Sequence, residues 1–344
     1  MANHGGTEST EKNDSLLPSW FPDSHPSVSS VPLWFHPATL NPPPRLTKAG
    51  HEPKIKMSSD KGVPVKLSVI TDEISMEFEH ALDVMLEYGV KGAELRSLWG
   101  TNIADLPEDQ WQRAKKAVDE RGMVVSCIAS PMFKCDLYEA ADDAAGQTHQ
   151  ATARSLDEQM ALLDKCIRAA HFFGTPYIRI FSFWRRSELT DSIEADIVRA
   201  FKEPAARAEK EGVILGLENE HACYLGTGVE IARVIKAVNS PGLKAVWDPG
   251  NAFCDREVPY PDGYEACKDD IVHVHVKDAD WEGDKVKFVR IGDGKIDYWG
   301  HLRALKAAGY DGYLSLETHF KPGGAAEDGS RQCLAVLTDM LPKL

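Results

Sequence analysis

Eight short apolar runs, each followed by a helical pattern, restrict this chain to very few architectures. The runs cover residues 66–71, 92–96, 123–129, 177–181, 213–218, 243–248, 271–276 and 312–317. They are rich in Val, Ile and Leu without strict alternation, as expected of strands covered on both faces, and regular strand–helix alternation implies a parallel sheet. Amphipathic helical patterns span 77–89, 107–122, 153–174 and 196–212, and Gly89, Gly122, Gly174, Gly212 and Gly309 stand just past helix ends. Pro107 suits a helix start, whereas Pro204 predicts a kink in the fourth helix. Eight such units predict one closed (β/α)8 TIM barrel, a single α/β domain over 62–344. The alternative, a doubly wound open sheet, would call for a glycine-rich dinucleotide fingerprint after the first strand, and none follows it.

Residues 1–61 differ from the rest, being rich in Pro and Ser and including the triplet Pro42, Pro43, Pro44. Without apolar periodicity the segment cannot offset its ordering entropy, so a disordered N-terminal arm is expected. Trp20, Phe21, Trp34 and Phe35 are its docking anchors or its transient contacts.

A formal net charge of -14 argues against nucleic acid as a partner, since phosphate contacts draw on clustered Lys and Arg. The seven cysteines are scattered and form no CxxC pair, which fits a reducing, cytoplasmic setting rather than a disulfide framework or zinc ribbon. Apolar runs are far shorter than the roughly 18 residues of a membrane span. The start lacks the signature of a secretory signal or transit peptide. A homo-oligomer is compatible with all of this.

Glu218, Asp248, His275 and Glu317 close four successive runs, VILGLE, LKAVWD, IVHVHV and GYLSLE. In a parallel barrel the carboxyl ends of neighbouring strands converge on one face. Three carboxylates and an imidazole gathered there repel one another unless a dication neutralises them. Oxygen-dominated ligation with one imidazole suits Mn²⁺ or Mg²⁺ first, with Co²⁺ or Zn²⁺ as alternatives. His273 and His275, two apart, point to the same side of their strand. His275 lies nearer the carboxyl end and is the expected ligand, leaving His273 as a hydrogen-bonded barrel histidine.

Further polar residues are expected to bind substrate. His221 and Asn251 each follow a ligand by three, on segments leaving the rim, as hydroxyl ligands or as caps. Lys277 and Arg96 would hold an oxyanion or a carboxylate, or else pair with Glu94 or Asp278. Glu73 and Arg290 are additional candidates, and Gly292 and Gly294 suit a tight turn rather than a phosphate cradle. Of the aromatic residues near strand ends, Trp99, Phe133, Phe181, Trp184, Trp247 and Phe253, most are expected to pack and one or two to wall a pocket.

The motifs LENEH (217–221), WDPGN (247–251), HVHVKD (273–278), IGDGKID (291–297) and YDGYLSLE (310–317) resemble those of the xylose-isomerase-like barrels. That family includes sugar isomerases and epimerases, hydroxypyruvate isomerase, inosose dehydratase, 3-dehydroshikimate dehydratase and the type IV apurinic endonucleases. The resemblance runs from about residue 65 to the C-terminus. It implies that Glu218, Asp248, His275 and Glu317 bind a divalent metal ion and that Glu218 and Glu317 also act as acid and base. Asn251 stands where the endonucleases and the ketose 3-epimerases carry a histidine, and the second and third strands end without one, which speaks against nuclease activity. The expected function is isomerisation or epimerisation of a sugar, keto-sugar or related polyol through an enediolate. A lyase or dehydratase acting on a dehydroshikimate-, inosose- or 3-keto-glycoside-type substrate is the alternative, ahead of a catalytically silent binding protein.

Overall fold

The computed structural model describes residues 65–138 and 149–344, so the N-terminal arm expected over 1–61 lies outside the described residues. All eight apolar runs form barrel strands: β1 (Lys66–Ile70), β2 (Gly92–Leu95), β3 (Val124–Ile128), β4 (Tyr177–Ile180), β5 (Ile214–Glu218), β6 (Leu243–Trp247), β7 (Ile271–Val276) and β8 (Tyr313–Leu316). They pair in parallel, and β1 closes on β8 with Lys66 opposite Tyr313 and Val69 opposite Leu316. The chain is thus a closed eight-stranded (β/α)8 barrel, as its alternation required.

The main helices are α1 (Phe78–Glu87), α2 (Glu108–Glu120), α3 (Gln159–Phe173), α4 (Asp191–Glu211), α5 (Gly228–Val238), α6 (Pro249–Cys254), α7 (Tyr298–Ala307) and α8 (Ala326–Met340). The five glycines placed past helix ends all adopt positive φ, where a side chain would be strained. Two helix starts move from the expected positions. α3 begins at 159 rather than 153, because the Glu158 carboxylate folds back to accept the Ser155 N–H at 2.8 Å and so defines a turn ahead of the helix. α4 begins earlier, where the Thr190 hydroxyl accepts the Ile193 N–H and caps the first turn. It continues through Pro204 to Glu211.

Two units carry departures that shape the rim. α6 has only six residues and gives way to the irregular stretch Pro259–Gly263 and the one-turn helix Tyr264–Cys267. After β7 comes an antiparallel hairpin, Asp278–Glu282 with Lys285–Val289. At its base the buried Asp278 carboxylate accepts N–H groups from Ala279 at 2.9 Å, Gly292 at 2.8 Å and Gly294 at 3.0 Å. The IGDG segment is therefore a turn wrapped around a carboxylate, and a Cβ at Gly294 would lie 2.1 Å from Asp278 Oδ1.

The apolar core lies between strands and helices. In one part of it Phe201 of α4 stacks on Phe183 and meets the edge of Phe133. The barrel interior is polar by comparison. Ser68 and Ser126 hydrogen-bond across it at 2.6 Å, and Glu94, Arg179 and His273 are buried. Among the described residues no helix is long and apolar enough to cross a membrane.

Candidate metal centre

Each of the four expected ligands is delivered by a different strand of the barrel. Glu218 ends β5. Asp248 follows β6 and caps α6 by accepting the Asn251 N–H at 2.8 Å. His275 lies in β7, and Glu317 follows β8 with its N–H on the Val276 carbonyl at 3.1 Å. All four side chains are buried, and one donor atom from each falls within 4.8 Å of the others. His275 Nδ1 sits 3.1 Å from Glu218 Oε1, 3.5 Å from Glu317 Oε2 and 3.8 Å from Asp248 Oδ2. Asn219 ties two of the strand ends together: its amide donates to the Asp248 carbonyl and its oxygen accepts the Asp248 N–H, both at 2.8 Å.

The other face of the histidine is fixed from across the barrel. Glu94 of β2 places Oε1 3.1 Å from His275 Nε2 and Oε2 2.8 Å from His273 Nε2, with all three side chains fully buried. A carboxylate on Nε2 favours a proton there, so that the neutral ring would offer its Nδ1 lone pair to a metal ion held among the three acids. His273 is a buried, hydrogen-bonded barrel histidine, as its depth suggested. Glu94 is the member of this cluster that the sequence alone offers only as an ion-pair partner. Its signal was an acid in the middle of the apolar run GAELR.

Cations surround the acids, with partners that differ from those expected. Lys277 pairs with neither Glu94 nor Asp278; its Nζ lies 2.8 Å from Asp248 Oδ2 and 3.0 Å from Glu317 Oε2. Arg96 contacts Glu317 Oε1 through Nη1 at 2.6 Å, Asp72 through Nε at 3.0 Å, and Glu73 through Nη2. Arg179 of β4 approaches Glu218 Oε2 at 3.3 Å. Lys134, after β3, pairs with Glu220 at 3.2 Å and lies over the Phe181 ring at 4.3 Å, so Phe181 is one of the aromatics that borders the site. Burial alone would raise the Glu317 carboxyl, but the Lys277 ammonium and His275 hold it well below the usual carboxylate range. Asp248 is raised, chiefly by burial. Burial opposes charge on His275, yet Glu94 and Glu218 carry it well above an ordinary imidazole.

The remaining expectations divide. Asn251 lies in the first turn of α6 and not on a loop; Asp248 does the capping, while Asn251 Nδ2 donates to Glu218 Oε1 at 3.2 Å. His221, half exposed, sits 3.2 Å from Asn251 Oδ1 and 3.1 Å from Glu220 Oε1. Glu73 joins the site through Arg96. Arg290 does not: it pairs with Asp293 at 2.9 Å within its own turn, on the exposed side of the loop, because that partner three residues on is always within reach. A cavity of about 400 Å³ is lined by Glu73, Arg96, His149, His319 and Lys321, among others, and two of these, Arg96 at 2.6 Å and His319 at 3.6 Å, reach Glu317.

The donor set fits a divalent cation. Apart from the cations Arg179, 3.3 Å from Glu218 Oε2, and Lys277, 2.8 Å from Asp248 Oδ2, these two buried oxygens have no hydrogen-bond partner among the described residues, and oxygen-rich ligation with one imidazole is what hard and borderline ions take. Around the site Asp72, Glu73, Glu94, Glu218, Glu220, Asp248 and Glu317 outnumber Arg96, Lys134, Arg179 and Lys277. A dication offsets most of that excess.

Residues 82–340 match the family model described as xylose isomerase-like TIM barrel. An uncharacterized protein of Methanocaldococcus jannaschii is 31% identical over 114 residues, 32% of this chain and 38% of that relative, so the match spans well under half of its length. Among solved structures, the probable 3-DHS dehydratase AsbF of Bacillus anthracis superposes with a TM-score of 0.62 at 17% identity, covering 80% of this chain and 99% of that one. The IOLI protein with a zinc atom gives 0.63 at 19% identity, over 81% and 99%. D-allulose 3-epimerase of Methylomonas sp., in complex with D-allulose, gives 0.60 at 14% identity, over 80% and 97%. At these identities the likeness is one of fold.

Proposed function

The chain belongs to the xylose isomerase-like TIM barrel family, and on that footing we propose that it is a divalent-metal-dependent isomerase or epimerase of a sugar, keto-sugar or related polyol. One observation carries the reading: four buried donors from four strands, all within 4.8 Å of one another. Glu218, Asp248, His275 and Glu317 would hold one Mn²⁺ or Mg²⁺, with Co²⁺ or Zn²⁺ also suited, and the ion would supply Lewis-acid polarisation of a substrate carbonyl. Glu317 takes the proton α to that carbonyl, being kept ionised by Arg96 and Lys277. Glu218, three strands away around the barrel, returns a proton to the neighbouring or opposite position of the enediolate. Arg96, Lys277, Asn251 and His221 orient the substrate's oxygens, and the adjoining cavity is large enough for a sugar-sized molecule. Free cysteines at all seven positions suit a cytoplasmic setting.

A lyase outcome is favoured by one feature. His221 is half exposed at the rim, and its hydrogen bond with Glu220 raises it above an ordinary imidazole, so it could protonate a departing β-hydroxyl. Incubation of the protein with keto-sugars and cyclitols in D₂O containing Mn²⁺, Mg²⁺ or Co²⁺ tests both readings. Deuterium entering a carbon α to the carbonyl is expected, and concurrent loss of water would select the lyase. Glu317→Gln should abolish the exchange while the far-UV circular dichroism stays that of a folded barrel; wild-type exchange in that variant would exclude Glu317 as the base.

A further inference from the structure

Lys277 is held against the ligand cluster more firmly than a substrate-binding lysine needs to be. Its ammonium contacts two of the four ligands, Asp248 at 2.8 Å and Glu317 at 3.0 Å, and its side chain is only 3% exposed. The backbone is clamped as well: Tyr298 Oη accepts the Lys277 N–H at 3.1 Å and donates to its carbonyl at 2.7 Å. The stem passes so close over α6 that a Cβ at Gly250 would lie 2.3 Å from Lys277 Cγ. The glycine of WDPGN thus makes room for this lysine, and the ammonium is set among the acids by packing on two sides.

Fixed positive charge at that point has two physical effects. It holds the carboxylates of β6 and β8 together, since buried acids left unpaired would repel one another and destabilise the fold. It also opposes any second cation brought to the same acids, because like charges a few ångströms apart interact strongly where water is excluded. Resting on the reading of this cluster as a metal centre, we infer that Lys277 is a resident counter-cation of the site: it stabilises the metal-free barrel and weakens the grip on a divalent ion, so that the metal binds less tightly than its four ligands alone would allow.

The test compares wild type, Lys277→Met and Lys277→Arg after exhaustive chelation, by thermal melting and by titration with Mn²⁺ and with Zn²⁺. Lys277→Met is expected to lower the metal-free melting point by about 5 °C or more and to bind each ion at least ~10-fold more tightly, with Lys277→Arg close to wild type in both. If Lys277→Met is unfolded without metal, refolding on addition of Mn²⁺ supports the inference and failure to refold at any concentration overturns it. An unchanged metal-free melting point, or metal affinity that is unchanged or weaker, also overturns it, leaving Lys277 as a substrate ligand alone. Should wild type take up neither ion, the metal-centre reading and the competition both fall, while the melting curves still decide whether the lysine stabilises the acids.

Discussion

Replacing Glu94 by Gln changes one atom in a fully buried site and should cost the centre most of its metal affinity. In the wild-type geometry both carboxylate oxygens accept, one from His275 Nε2 at 3.1 Å and one from His273 Nε2 at 2.8 Å. A glutamine can accept from one histidine and must donate to the other. Where it donates to His275, the ring proton moves to Nδ1 and points at Glu218 and Glu317, and the lone pair needed for a metal bond is gone. Where it donates instead to His273, the displaced proton goes to His273 Nδ1, which is buried without a partner, and His275 keeps its tautomer but loses the basicity lent by a carboxylate. Both branches weaken the centre. Removing such an outer partner typically lowers metal affinity 10- to 100-fold, or about 1.4–2.7 kcal/mol. Titration of chelated protein with Co²⁺, followed by its visible absorption, measures the affinity and reports a change in coordination. A variant that binds Co²⁺ within about twofold of wild type, with an identical spectrum, would refute the argument that Glu94 sets the ligating nitrogen.

Two predictions concern stability away from the ligands. Asp278→Ala removes the acceptor of two N–H groups in the IGDG turn and of the Ala279 N–H; we expect a loss of about 2–4 kcal/mol in denaturant unfolding and faster amide exchange at Gly292 and Gly294. His301, buried among Trp247, Tyr264 and Tyr298 with neither ring nitrogen paired, is pushed down to about 3 by burial. Its folded-state value lies below the unfolded one, so the unfolded chain takes up the proton first and stability falls as pH drops from about 6.5. His301→Phe should flatten the pH dependence of unfolding between pH 6.5 and 4 by about 1.4 kcal/mol per unit, and an unaltered slope would show that the ring is protonated in the fold.

The barrel and its four donors were legible because both are written locally. Each strand is a contiguous apolar run, and each ligand sits at the end of one, so periodicity alone places them on a common rim. What escaped was set by contacts across the barrel. Glu94 meets His275 from β2 to β7, and Arg96 meets Glu317 only because β1 closes on β8 beside it. Nothing in the neighbourhood of either residue announces those partners. Lys277 pairs with Asp248 rather than the adjacent Asp278, whose carboxylate is consumed by backbone donors. Arg290 instead pairs locally, with the acid three residues on. The start of α4 depended on one hydroxyl, that of Thr190.

The origin of the groups around the centre has a consequence for how the chain assembles. The four donors arrive on β5 to β8 or just past them, whereas Arg96 follows β2, Lys134 follows β3 and Arg179 lies in β4. Arg96 finds Asp72 and Glu73 within the first two units, but Glu220 and Glu218, the counterparts of Lys134 and Arg179, arrive only with the fifth strand. Those two ion pairs, and the one between Arg96 and Glu317, therefore close only when the acidic half of the chain is in place.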